Sequence, residues 1–300
     1  MPKISYMQKT LGVERLATIQ IANKIIDEYR LLGFTLTLRQ LYYQFVARDL
    51  IKNSDKEYKR LGDAINDGRM CGFIDWHAII DRTRNLRSVS HWDSPADIMR
   101  SAAAGFRIDK WHGQPFRPEV WIEKDALVGV IEGVCEELDV PFFSCRGYTS
   151  QSEMWSGAMR LRRYADHRQI PIILHFGDHD PSGMDMTRDI TERLQTFMGG
   201  MEVRRLALNM PQVNEYNPPP NPAKVTDSRA VAYIREFGDE SWELDALEPM
   251  VLAGLVRSEI ESLRNETKWD DAVAVEEGHR RDLSIASDRW HEVSRFLAEE

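Results

Sequence analysis

Residues 171–183, PIILHFGDHDPSG, place two carboxylates, Asp178 and Asp180, immediately after an apolar run that reads as a buried strand. A third, Glu123, ends the strand-like EVWIE some fifty residues earlier. Three carboxylates brought together repel one another, and unpaired they have raised pKa values. A hard divalent cation removes that conflict. Mg²⁺ takes oxygen ligands, keeps several waters and usually binds one or two carboxylates plus substrate phosphate. Such an open site suits phosphoryl transfer. The same D-x-D-P-x-G is also good turn chemistry, so a solvated turn is the alternative reading of the two aspartates alone. His179 lies between them, but an oxygen-only shell suits Mg²⁺ (or Mn²⁺) better.

These residues need a scaffold. From residue 117 strand and helix patterns alternate: EVWIE, a helix over 126–138, PFFSC, a helix over 151–167, PIILHF, a helix over 182–198, then VRRLAL. That alternation predicts an α/β fold with a parallel, Rossmann-like sheet covered on both faces. In such sheets ligands bind beyond the carboxyl ends of the strands, where Glu123, Arg146, Gly147, Asp178 and Asp180 fall. Upstream, a helix over 13–32 precedes Gly33, and Thr37 reads as the N-cap of LRQLYYQFVARDL. A third helix is expected over 56–67, ending at Gly68, followed by CGFIDWHAII as a β-wing. Three helices and a wing suggest a winged-helix DNA-binding domain. The proline-rich NEYNPPPNPAKVTDS (214–228) reads as extended linker. The expected division is a winged-helix domain over 1–112, a metal-binding sheet domain over 113–212 and an acidic, mostly helical extension over 213–300.

On a helical wheel from Leu38, Leu41, Tyr42, Phe45 and Val46 make one apolar face. Tyr43 falls about 140° round, beside Arg39 at about 100°. Tyr42 is therefore expected in the core and Tyr43 off it. Arg39 and Tyr43 are i, i+4 neighbours. A phenol with a pKa near 10 is about a thousandth ionised at pH 7, so it needs help to act as a nucleophile. An adjacent guanidinium favours the phenolate and can grip a phosphate. The bland alternative is a half-exposed helix tyrosine.

The net charge of −9 sits at one end. Residues 227–300 hold 9 Lys/Arg against 19 Asp/Glu, whereas the first 226 hold 30 against 29. The N-terminal part is thus near neutral, and residues 39–110 carry 13 basic and 10 acidic side chains. The run DRTRNLR contributes Arg82, Arg84 and Arg87, which could track a DNA backbone or form a solvated loop. Three scattered cysteines without CxxC fit a reducing cytosol. No apolar run approaches the roughly 20 residues of a membrane span. The expected location is cytoplasmic.

VWIEKDAL, CRGYTS, FGDHDPSG and WELDAL (242–247), with LRQLYYQF upstream, together resemble the topoisomerase VI A subunit and its relative that makes meiotic double-strand breaks. They are most similar to the stand-alone Mini-A type relatives of phages and plasmids. The resemblance covers most of residues 40–250. It implies a Toprim domain with Glu123, Asp178 and Asp180 on Mg²⁺. It also implies Tyr43 as the residue that attacks DNA, with Arg39 beside it. Lys124 and Arg146 are weaker candidates for DNA contact. Glu243 and Asp245 lie in the family-like WELDAL without an assigned role. The implied partners are double-stranded DNA and a second copy in a homodimer, each metal site serving the partner's tyrosine. No GxxxxGK[ST] is present, so an ATPase would be a separate subunit. A hydrolytic Toprim nuclease, like that of Wadjet-type plasmid defence, and a non-catalytic DNA-binding protein are the alternatives.

Overall fold

The computed structural model describes residues 3–79 and 89–299. Three helices open the chain: α1 (Val13–Leu31), α2 (Leu38–Ala47) and α3 (Asp55–Met70). α1 buries Ile19, Ala22, Ile25, Ile26 and Tyr29, spaced for one face. The Thr37 hydroxyl caps α2 in a capping box with Gln40, as its sequence predicts. α3 runs through Gly68 rather than ending there. Gly68 is needed for close approach: a Cβ would lie 2.8 Å from the Ile74 side chain. The chain turns instead at Gly72, with φ +77°. No wing hairpin follows among the described residues. Residues 71 and 79 make only isolated bridges, to Ser5 and Leu36. Arg82, Arg84 and Arg87 lie outside the described residues.

After α4 (Pro95–Gly105) comes the predicted alternation: β1 (Phe116–Ile122), α5 (Val128–Glu137), β2 (Phe142–Ser144), α6 (Gln151–Asp166), β3 (Ile170–Phe176), α7 (Pro181–Phe197) and β4 (Glu202–Ala207). The four strands form a parallel sheet in the order β2-β1-β3-β4. Strand residues alternate between its two faces. Val120, Ile122, Ile172, Leu174 and Phe176 face one core with α5. Trp121, Ile173 and Val203 face a second with α6 and α7. The β1–β3 register pairs Ile122 with Phe176, so both strands stop level. Glu123 and the Gly177–Asp180 turn are delivered to the same edge.

Helices α8 (Met210–Tyr216) and α9 (Ala230–Phe237) flank the proline-rich segment, which pairs briefly as β5 (Asn221–Pro222) with β6 (Glu240–Ser241). α10 (Pro249–Leu263), α11 (Glu266–Asp288) and α12 (Trp290–Glu299) complete the chain. Leu252, Val256, Ile260, Leu263 and Trp269 enter the core of the first sheet face, so the acidic C-terminal part packs directly on the sheet. No described helix is long and apolar enough to cross a membrane.

Candidate active site

The turn after β3 is fixed by sterics and by one buried arginine. A Cβ on Gly183 would lie 2.2 Å from the Asp178 carbonyl oxygen, so only glycine fits. Gly177 is less tightly placed, a Cβ there lying 3.0 Å from the Glu123 carboxylate. Asp180 caps α7, accepting the Gly183 N–H at 2.6 Å, with Pro181 in the first helical turn. Arg205, on β4, passes beneath the turn. Its guanidinium donates to the carbonyls of Gly177 (3.0 Å), Asp178 (2.6 Å), Gly183 (2.9 Å) and Leu208 (3.2 Å). Burial pushes its pKa down to about 10. His179 points away from the acids. Its Nδ1 meets the Tyr233 hydroxyl at 2.8 Å among Tyr233, Phe237 and Trp242. Burial lowers its pKa to about 4. It is a packed residue, 1% exposed.

The acids themselves are already engaged. Glu123 Oε2 accepts the Asp178 N–H at 2.9 Å. Asp178 Oδ1 accepts the Leu244 N–H at 2.7 Å and lies 2.9 Å from the Lys124 ammonium. Burial pushes the Asp178 carboxyl up to about 7 against the pull of Lys124, and the Glu123 charge adds to the rise. Burial also raises Glu123. In donor type these carboxylates suit Mg²⁺ or Mn²⁺. In arrangement they do not: among the described residues no three His, Cys, Asp or Glu side chains are gathered to hold a metal ion. Lys124 supplies the neutralising cation instead.

Lys124 reaches two further acids that had no assigned role, Glu243 (2.9 Å) and Asp245 (3.0 Å). The same pair holds Arg39 from the other side. Arg39 Nη2 lies 2.5 Å from Glu243 Oε2, and its Nε 2.8 Å from Asp245 Oδ2. Arg39 also reaches the Tyr43 hydroxyl at 3.5 Å, with its guanidinium 5.7 Å from the ring centre. α2 and the sheet edge are therefore joined through WELDAL. Burial and then Lys124 and Arg39 act on Glu243 in opposite senses, and the cations win, holding it near 2.

Tyr43 is not off the core, as the helical wheel suggested. It is 3% exposed and belongs to the hydrophobic core that α1, α2 and α3 share. Nor is its phenol activated. Burial raises its pKa, Asp245 and Glu243 raise it further, and Arg39 only partly opposes them. The wheel describes one helix, and the carboxylates that neutralise Arg39 lie some two hundred residues away. Tyr42 is buried as expected, but its hydroxyl is also used. It accepts the Ser54 N–H at 2.7 Å and donates to Asn53 Oδ1 at 2.9 Å.

A cavity of about 300 Å³ collects Arg39, Tyr43, Asp178, Asp180 and Glu243 on its walls, with Lys224 from the proline-rich segment. Arg146 stands outside it, exposed and paired with Asp125 at 3.1 Å. Glu243, Asp245 and Arg205 were the residues missed from sequence. WELDAL was a signal for the first two, and one of two adjacent arginines within VRRLAL offered none for the third. The chain matches no protein-family model, and no curated protein matches it significantly.

Proposed function

We propose that this chain is a DNA-cleaving enzyme of the topoisomerase VI A type, in which Tyr43 is the nucleophile. One observation carries the reading: Tyr43 and Arg39, from the helical part, and Asp178 and Asp180, from the sheet edge, line one cavity. Catalytic groups from distant segments that converge on a polar cleft are what a phosphodiester needs around it. The Tyr43 oxygen attacks phosphorus, the P–O3′ bond breaks, and a 5′-phosphotyrosine forms. The phenolic proton ends on the released 3′-hydroxyl. Arg39, once free of its carboxylates, grips the phosphate and offsets charge in the transition state. Mg²⁺, replaceable by Mn²⁺, remains the proposed cofactor on the chemistry of Glu123, Asp178 and Asp180. As placed, those groups do not form its site. The N-terminal helices would act as the winged-helix-like DNA-binding part. The proposed partners are double-stranded DNA, a second copy of the chain and a separate ATPase if strand passage occurs.

The test is denaturing electrophoresis after incubation with labelled supercoiled DNA, with Mg²⁺, Mn²⁺ or chelator. Nicked or linear DNA should appear with a protein–DNA adduct. Tyr43→Phe should lose both by more than about a thousandfold. The raised, buried phenol favours a second reading, a hydrolytic nuclease, and metal-dependent cutting by Tyr43→Phe would establish it. Absence of both cutting and adduct would leave a DNA-binding protein.

A further inference from the structure

Arg39 and Lys124 come from different parts of the fold, yet one atom serves both. Glu243 Oε2 lies 2.5 Å from Arg39 Nη2 and 2.9 Å from Lys124 Nζ. An anionic oxygen bridging a guanidinium and an ammonium is the environment these two cations would give a phosphodiester oxygen.

The two acids that hold this pair are not equivalent. The Asp245 side chain is fully buried, and its two oxygens divide between Arg39 and Lys124. It fixes the spacing of the cations from below. The Glu243 side chain is 26% exposed and forms part of the cavity wall. It lies just before the short turn at Leu244–Ala246, so its carboxylate can leave without unmaking the turn's backbone bonds.

We propose that Arg39 and Lys124, spaced by Asp245, form the seat for a DNA backbone phosphate, and that Glu243 is an internal stand-in for that phosphate which DNA displaces. The seat rests on the DNA-cleaving reading and extends it. It assigns Lys124 to the substrate and gives Glu243 a gating role. It also accounts for the quiet state of Tyr43, whose neighbouring guanidinium is neutralised while Glu243 and Asp245 hold it. Removing Glu243 takes one negative charge from the cavity wall and leaves Asp245 and Asp178 as the carboxylates against the two cations.

The experiment is fluorescence anisotropy of a labelled DNA duplex with the full chain in chelator, so that binding is read without cleavage. Glu243→Gln and Glu243→Ser should each bind about tenfold more tightly than wild type, the size of one charge-assisted hydrogen bond. Glu215→Gln removes the same charge on exposed α8 and should stay within about twofold of wild type. In an Arg39→Gln background the Glu243→Gln gain should vanish, because the seat has lost one wall. Circular dichroism confirms that each variant is folded. If wild type binds DNA and the folded Glu243 variants bind no better, or the gain survives Arg39→Gln, the gate is overturned and the cleaving reading stands. If none of the proteins binds duplex DNA, both fall together.

Discussion

Tyr42 and Tyr43 are neighbours on one helix, both buried, with ring centres 5.2 Å apart, yet their hydroxyls have different work. The Tyr42 hydroxyl satisfies the Ser54 N–H at the start of α3 and the Asn53 side chain. Tyr42→Phe leaves that N–H without its partner and should cost about 1–3 kcal/mol, read by urea denaturation. The Tyr43 hydroxyl meets Arg39 at a long 3.5 Å and also hydrogen-bonds the part-exposed Glu243 carboxylate. Tyr43→Phe should change stability by less than about 1 kcal/mol. The effects on folding and on DNA cutting thus separate at adjacent residues. That contrast was only half legible in sequence. Periodicity assigned Tyr42 to the core, but it cannot report a hydroxyl's partner or a carboxylate brought from residue 243. The i, i+4 pairing of Arg39 with Tyr43 was legible because it is local. Its electrostatic sign was not, because Asp245 and Glu243 decide it.

Elements fared better. The four strands and the helices between them follow from apolar runs and turn residues, since a parallel sheet demands that rhythm. Thr37 announced α2 through its capping chemistry. Gly68 misled: glycine marks a helix end or a close contact equally well, and here Ile74 needs the space. The catalytic-looking turn depends on an element that gave no sign of it. β4 contributes Arg205, whose fork of donors holds the carbonyls of Gly177, Asp178 and Gly183 together. Arg205→Met keeps length and apolar stem but strands those oxygens. It should cost roughly 3 kcal/mol or more in urea denaturation, because several buried acceptors lose donors at once. Arg205→Lys restores the charge without the planar fork, and should recover only part of the loss.

Across the whole molecule, two bodies of structure meet at the site. The core of α1, α2 and α3 holds Tyr43 and Arg39, and includes Ala246 from WELDAL. The sheet core holds Leu244 and Leu247 from the same segment. WELDAL therefore belongs to both, and its acids bind a cation from each. Tyr29, in α1, adds a hydrogen bond to Glu248 just beyond it. This continuity bears on how a homodimer would work. The resemblance implies that each tyrosine serves its partner's acids, yet one chain lines a single cavity with Tyr43, Asp178 and Asp180. A site contained in one chain makes a definite prediction for mixed dimers. Tyr43→Phe chains and Asp178→Ala chains, co-refolded to allow exchange, should nick no more supercoiled DNA than either parent. Each protomer would lack one half of its own site, and exchange cannot return it. Light scattering must first show dimers, and differently tagged chains must co-purify. Given that, nicking by the mixture at a sizeable fraction of the wild-type rate would assign the tyrosine and the acids to opposite protomers. The cavity would then be the resting arrangement, and DNA would have to draw α2 away from WELDAL before cutting.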